Sequence, residues 1–150
     1  MSRHIRVTRT IPAPVAEVFA MFADSDRLSM LPGVRVTVLE PGREFRDGVG
    51  LRRRLDLGGG VFLVEEVVGL EPPRLFSYRI RESRPAFRHE QGDISFTERG
   101  SGTLVDWTST LSTPAGPFTP LVEVGASLLA RTGFSVVLTR IARTLSLRGK

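Results

Sequence analysis

The 150-residue chain contains no cysteine, which excludes disulfide bonds, thiol catalysis and thiolate metal ligands. It has only two histidines, His4 and His89, so a three-histidine zinc site cannot form and a mixed site would need mostly carboxylate ligands. The glycine clusters at 48–50 and 58–60 open no predicted helix, which argues against a nucleotide-binding loop. We therefore expect neither a metal nor a cofactor.

Long apolar runs are also missing from the sequence. No stretch approaches the roughly 18 uncharged apolar residues that a membrane-spanning helix needs. Residues 1–14 alternate charged and apolar side chains, and they lack the apolar core of an export signal. These features predict a cytoplasmic protein with no stable membrane insertion.

Basic residues outnumber acidic ones by 21 to 16, which gives a net charge of +5. The C-terminal segment has one acid, Glu123, and its bases are Arg131, Arg140, Arg143, Arg148 and Lys150. These bases fall on different faces of a predicted helix, without the aromatic interleaving that is typical of nucleic-acid-binding segments. We expect a solvated basic helix and no nucleic-acid partner.

Proline and glycine separate short runs, and no repeat or long linker divides the chain, so residues 1–150 are predicted to form a single domain. Residues 3–11 alternate arginine with apolar side chains, as a half-buried strand does. Pro14 suits the first position of a short helix that runs to about Asp24, where a second helical turn is capped. Strand character returns at 34–38, and helical periodicity extends from Leu121 to about Leu147.

The first of two predicted hairpins turns at Gly59-Gly60. If these two residues form the whole turn, Arg53 faces Glu66 across the strands. One face of the hairpin is then apolar except for this single pair. Arg54 and Glu65 lie on the other face, as an ordinary solvent-side pair.

The second hairpin turns at Gly100-Ser101, which sets Ile94 against Trp107. Between the hairpins, residues 75–81 alternate so that Tyr78 lies on the apolar side of its strand. These strands are predicted to form one antiparallel sheet with one polar and one apolar face. The long C-terminal helix can lie across the apolar face.

Four motifs connect this pattern to a known family. They are, in order, TIPAPVAEVFAMFAD, MLPGV, VEEVVGLEPPRLFSYRI and GTLVDWTS, followed by the terminal helix. With these motifs the sequence resembles the polyketide cyclase/dehydrase and lipid-transport branch of the START/Bet v 1-like (SRPBCC) superfamily, over nearly the whole chain. The order of a strand, two short helices, six strands and a long helix is that of the superfamily's helix-grip fold.

The resemblance implies an α+β fold in which a curved, antiparallel, seven-stranded sheet wraps around the C-terminal helix. It also implies a hydrophobic cavity between sheet and helix for a lipid, a polyketide or another apolar molecule. The LPGV loop at 31–34 lies near the cavity mouth in this analogy. No universal catalytic residue carries over from the superfamily, so any reaction has to be argued from the residues themselves.

The Arg53 and Glu66 pair is the first candidate for the cavity lining. A buried arginine and carboxylate can orient a ligand carbonyl or acid, and can stabilise an enolate during a cyclisation. The competing interpretation is a structural ion pair that satisfies only itself, and this is the one we favour.

Tyr78 and Trp107 are the only tyrosine and the only tryptophan, and both are predicted to point inward. Tyr78 could donate a hydrogen bond to a ligand or act as a general acid, and Trp107 could form a cavity wall. Packing in the core is the alternative for each. His89, with Glu90 and Asp93, resembles an acid–base cluster, but the second hairpin puts His89 and Asp93 on the polar face unless a bulge intervenes.

The sequence thus predicts a protein that binds a small hydrophobic ligand through Arg53, Glu66, Tyr78 and Trp107. One alternative is a polyketide cyclase or dehydratase, in which Arg53 polarises a carbonyl and Tyr78 or Glu66 moves the proton. Another is an interaction module similar to the chaperone-associated members of the superfamily, with a filled interior. The ligand's identity and the choice between a monomer and a homodimer stay open.

Overall fold

The computed structural model describes the backbone of residues 2–84, 88–112 and 119–148, and the side chains of 4–84, 91–111 and 132–146. Its elements are β1 (Ser2–Ile11), α1 (Val15–Ala23), α2 (Ser25–Leu28), β2 (Arg35–Glu40), β3 (Arg52–Gly58), β4 (Val61–Glu71), β5 (Leu75–Arg84), β6 (Arg88–Arg99), β7 (Gly102–Ser112) and α3 (Thr119–Arg148). This is the predicted order of one strand, two short helices, six strands and a long helix.

The seven strands form one sheet in the order β1-β7-β6-β5-β4-β3-β2, and each neighbouring pair is antiparallel. One apolar cluster joins the inner face of this sheet to α1, α2 and the second half of α3. The predicted α+β helix-grip architecture is confirmed.

The short helix α1 lies on the inner face through one apolar stripe, in which Val18, Phe19 and Phe22 are buried. It ends where Asp24 leaves helical geometry and caps α2. The Asp24 carboxylate accepts hydrogen bonds from the backbone N–H groups of Asp26 at 2.9 Å and Arg27 at 3.3 Å. The predicted cap is therefore confirmed, and it fixes the sharp change of direction between the two helices.

The second half of α3 packs on the sheet through Leu138, Ile141 and Leu145, all of which are buried. Two arginine side chains form hydrogen bonds that connect this half of α3 to the rest of the protein. Arg9 of β1 donates to the Thr139 hydroxyl at 2.6 Å, and Arg140 donates to the Pro32 carbonyl at 2.7 Å. None of the described helices is both long and apolar enough to cross a membrane.

The register of the β6–β7 hairpin agrees with the sequence. Ile94 pairs with Trp107 and Phe96 with Val105, and Gly100 has a φ of 59° in the turn. A positive φ is what the first central position of such a turn requires, and glycine adopts it without strain.

The β3–β4 turn lies at Gly59-Gly60 as predicted, with Gly58 paired to Val61, but beyond this pair the predicted register was wrong by one residue. Gly58, Gly59 and Gly60 all have positive φ, and a register shift falls between Asp56 and Gly58. Arg53 consequently pairs with Glu65, and Glu66 pairs with Arg52. Because side chains alternate along a strand, this single shift places Glu66 on the opposite face from Arg53.

Candidate functional site

The inner face of the sheet holds a buried ion pair between Arg53 of β3 and Glu65 of β4. The guanidinium Nε lies 2.6 Å from Glu65 Oε1, and the two side chains are 1% and 8% exposed. Arg53 is the largest fully buried side chain among the described residues. A charge this deep in the protein is stable only with good partners, because its desolvation costs several kcal/mol.

The other guanidinium nitrogens of Arg53 bind the junction between α1 and α2. Nη2 donates to the Phe22 carbonyl at 2.5 Å and Nη1 to the Ser25 hydroxyl at 3.2 Å. The Phe22 carbonyl lies in the last turn of α1, where carbonyls lack helical partners and a cation is favoured. The Cζ atom of Arg53 also lies 5.5 Å from the centre of the Phe76 ring. Each nitrogen of Arg53 thus has a partner within the protein.

Ser25 extends this network toward the surface. Its hydroxyl donates to Asp47 at 2.6 Å, and Asp47 also binds Arg46 at 2.8 Å. Burial alone would raise the pKa of the Asp47 carboxyl. The hydrogen bonds from Ser25 and Arg46 outweigh that effect and hold the pKa below its usual value. The network therefore ties the loop before β3 to the α1–α2 junction.

Glu66, predicted to pair with Arg53, lies on the outer face of β4. Its carboxylate accepts a hydrogen bond from Nε of Arg81 at 2.6 Å, and it lies 3.9 Å from Nε of Arg52. Both arginines are more than 40% exposed at their side chains. Glu65 takes the inward position because of the bulge between Asp56 and Gly58, and the sequence offered one signal for that bulge: a third glycine, Gly58, directly before the two-residue turn.

Tyr78 of β5 and Trp107 of β7 meet on the inner face. The indole N–H donates to the Tyr78 hydroxyl at 2.8 Å, and both residues are buried. Ser109 is a further hydrogen-bond partner of this hydroxyl. Burial raises the pKa of the phenol far above its ordinary value, and the nearby negative charge of Glu65 adds to that effect. Tyr78 is therefore a protonated phenol throughout the physiological pH range.

Trp107 also connects the sheet to both helices that cover it. Its ring stacks on Phe134 of α3 at a centroid distance of 4.0 Å and an interplanar angle of 7°. It packs edge-on against Phe22 of α1 at 5.4 Å. The predicted inward direction of Trp107 is correct, and the residue forms the meeting point of β7, α1 and α3.

Gly92 of β6, which the sequence did not single out, makes room for the Tyr78 ring. The two residues are direct partners across β5 and β6. A Cβ atom on Gly92 would lie 2.6 Å from the Tyr78 hydroxyl oxygen, which is far inside van der Waals contact. The absent side chain lets the phenol cross β6 and reach Trp107.

Two members of the predicted acid–base cluster, His89 and Glu90, have side chains outside the described residues. A bulge falls between His89 and Gln91, so the simple alternation along β6 breaks there. Asp93 lies on the outer face, where its carboxylate accepts hydrogen bonds from the Ser77 hydroxyl at 2.5 Å and from the Gln91 side-chain amide at 3.1 Å. Among the described residues no group of three acidic or histidine side chains could hold a metal ion.

Part of the inner face is apolar but only half-buried, in contrast to the closed packing around Trp107. The partly buried apolar side chains include Val36 and Val38 on β2, Ile80 on β5, and Phe134 and Val137 on α3. Val36 and Val38 pair with Leu55 and Arg53 and so share their inner face. Val38 is therefore a direct neighbour of the Arg53–Glu65 pair on the inner face.

A separate open groove of about 560 Å³ runs along α3. The described residues that line it are Thr132, Ser135, Val136, Thr139, Arg140 and Arg143. On a helix these positions lie opposite Leu138 and Ile141, which face the sheet. The groove is therefore distinct from the predicted cavity between sheet and helix.

Solved structures with the same fold cover nearly all of this chain. TTHA0849 from Thermus thermophilus superimposes with a TM-score of 0.76 at 23% identity, over 99% of this chain and 100% of that one. Ara h 8.0201 gives 0.74 at 13% identity, over 97% and 98% of the two chains. DynU16, from the dynemicin biosynthetic locus, gives 0.68 at 23% identity, over 95% of this chain and 47% of that one.

The family assignment comes from sequence. No curated protein matches the chain. The sequence model of the family described as "Polyketide cyclase / dehydrase and lipid transport" matches residues 2–146, which include every described strand and most of α3. This chain therefore belongs to the polyketide cyclase/dehydrase and lipid-transport family of the START/Bet v 1-like superfamily.

Proposed function

We propose that this protein binds a small hydrophobic molecule, lipid-like or polyketide-like, between the inner face of the sheet and α3. The observation that carries the proposal is the set of half-buried apolar side chains on β2, β5 and α3, of which Val38 lies beside the ion pair. Apolar side chains facing the interior of a folded domain are normally closed off from water. A partly open apolar surface next to a few buried polar groups is the usual character of a small-molecule site.

The family supports this choice of ligand. Its description joins polyketide chemistry with lipid transport, and both activities require a protein that removes an apolar molecule from water. Burial of apolar ligand surface contributes about 25 cal/mol per Å². A ligand of even modest size can therefore bind through shape and apolar contact alone.

Within this proposal the predicted residues take different parts. Trp107 and Tyr78 form the closed aromatic core next to Glu65, which occupies the position that the sequence assigned to Glu66. Arg53 acts through others, because its hydrogen bonds hold Glu65 and the end of α1 in place. It is a positioning residue rather than a ligand contact.

Neighbouring residues of β2 provide a matched test. Val36→Phe adds bulk to the inner face, and Thr37→Phe adds the same bulk to the outer face one residue away. We expect Val36→Phe to weaken binding of the uncharged fluorescent probe N-phenyl-1-naphthylamine at least tenfold, and Thr37→Phe to leave it unchanged. Equal probe binding by both variants and the wild type would argue against a site between sheet and helix.

A cyclase or dehydratase is the second candidate function, and one feature favours it. Glu65 is a buried carboxylate close enough to Tyr78 to raise the pKa of that phenol. A carboxylate beside a protonated phenol suits general acid–base chemistry. In such a reaction Glu65 accepts a proton from substrate carbon and Tyr78 donates one to the developing oxyanion. Loss of turnover in Tyr78→Phe, with unchanged substrate affinity, would distinguish an enzyme from a carrier.

A further inference from the structure

The two carboxylate oxygens of Glu65 are not equivalent. Oε1 accepts the short hydrogen bond from Arg53. Within the described part of the chain, Oε2 receives no hydrogen bond, although the Glu65 side chain is only 8% exposed. Buried acceptors almost always have a partner, so an open one in a folded protein calls for an explanation.

The position of Glu65 on the inner face explains why Oε2 is open. On one side of it along the inner face lie Val67 and Tyr78, which are closely packed and buried. On the other side lies Leu63, which is half-buried, and the half-buried Ile80 is the direct partner of Glu65 across β4 and β5. The open oxygen thus stands at the border between the closed core and the half-buried apolar surface.

The protein's own donors near this border are already engaged. Arg53 donates to Glu65, Ser25 and Phe22, and the Trp107 indole donates to Tyr78. A ligand carbonyl or ether placed there would meet an acceptor and not a donor. A ligand carboxylate would in addition meet the negative charge of Glu65. A ligand hydroxyl would complete the hydrogen bonding of Glu65.

We propose that Glu65 selects ligands bearing a hydroxyl group, so that this protein takes a hydrophobic alcohol or phenol rather than a fatty acid. The inference rests on the proposed function, since it specifies the ligand of that same site. Recognition is polar at one point and apolar elsewhere, with the hydroxyl donating to Oε2 and the hydrocarbon lying against Ile80 and α3. Hydrogen bonds to a charged group are the stronger kind, which makes this one contact decisive among ligands of equal size.

Three probes of one shape test the proposal by isothermal titration calorimetry at neutral pH: 2-naphthol, 2-methoxynaphthalene and 2-naphthoate. We expect the wild-type protein to bind 2-naphthol at least tenfold more tightly than either of the others. Glu65→Gln keeps an amide oxygen for Arg53 and presents an N–H where Oε2 was, so the preference for 2-naphthol over 2-methoxynaphthalene should disappear or reverse. Glu66→Gln is the matched control, because the same change one residue away lies on the outer face and should leave the preference intact.

The outcomes separate this inference from the proposed function. Equal affinity of the wild type for all three probes would overturn the selection by Glu65 and leave hydrophobic binding in place. No binding of any probe would overturn the proposed function and the inference with it. Should Glu65→Gln fail to fold, the ratio of affinities in the wild type still decides.

Discussion

Trp107 and Tyr78, the only tryptophan and the only tyrosine of the chain, are joined by one hydrogen bond of 2.8 Å. The bond links β7 to β5 across the intervening strand β6, above Gly92. Two rare chromophores therefore report on the same buried place. Their absorbance and fluorescence can be read without interference from other tyrosines or tryptophans.

Removing the Tyr78 hydroxyl leaves the indole N–H of Trp107 without its acceptor. We expect Tyr78→Phe to lower the free energy of unfolding by about 1–3 kcal/mol, the usual cost of an unsatisfied buried donor. Urea unfolding followed by far-ultraviolet circular dichroism measures it in every variant, including those that lack the only tryptophan. A Trp107→Phe variant and the double variant complete the cycle, and strictly additive losses would show that the hydrogen bond contributes nothing.

The titration of Tyr78 can be followed alone at 295 nm. Because the native pKa is raised far above its ordinary value of 10.0, the folded protein should show no tyrosinate at pH 10.5, whereas the protein in guanidinium chloride should be largely ionised. Above pH 10 the unfolded state then binds fewer protons than the native state. The free energy of unfolding should accordingly fall by up to about 1.4 kcal/mol per pH unit in this range. Ordinary ionisation near pH 10 in the folded protein would contradict the buried position of the phenol.

Two glycine substitutions should act in opposite directions. Gly92→Ala places a methyl group against the Tyr78 ring and should cost at least about 1–3 kcal/mol of stability through overpacking. Gly133→Ala, within α3, meets nothing within 4 Å and should raise stability by up to about 1 kcal/mol through helix propensity. Thermal unfolding of the two variants provides the comparison, and a tolerated alanine at 92 would be inconsistent with the described path of Tyr78.

The buried ion pair should be more sensitive to the loss of one partner than of both. Arg53→Met leaves the Glu65 carboxylate buried without its cation and should cost about 3–5 kcal/mol. Adding Glu65→Leu should restore part of that loss, because no uncompensated charge remains. The neighbouring Arg54→Met removes a half-exposed pair with Asp56 and a guanidinium contact with the Phe62 ring, and it should cost about 1 kcal/mol. Guanidinium unfolding curves would show whether the double variant is instead the least stable.

Local chemistry in this chain was predictable wherever one residue type determines the geometry. The Asp24 cap follows from a carboxylate placed before free N–H groups. The β6–β7 register follows from a single glycine with positive φ in a two-residue turn. The cap and the register are both determined by residues that are close together in the sequence.

The site itself depends on longer-range geometry, and there the sequence was insufficient. The β3–β4 turn forms at Gly59-Gly60 as predicted, but the bulge between Asp56 and Gly58 exchanges the roles of Glu65 and Glu66. The space for the Tyr78 ring depends on the pairing of Tyr78 with Gly92 across β5 and β6. We did not predict this register from the sequence. Arg53 was correctly placed inside, but its bonds to Phe22 and Ser25 require the tertiary position of α1.

Native mass spectrometry of gently purified protein, followed by denaturation and identification of any released molecule, tests the central claim most directly. We expect one hydrophobic molecule bound per protein chain, and we expect this adduct to be retained in Thr37→Phe and lost in Val36→Phe. A mass equal to the bare polypeptide, unchanged after incubation with apolar alcohols and phenols, would contradict a ligand site between sheet and helix. That result would favour an interaction module with a filled interior.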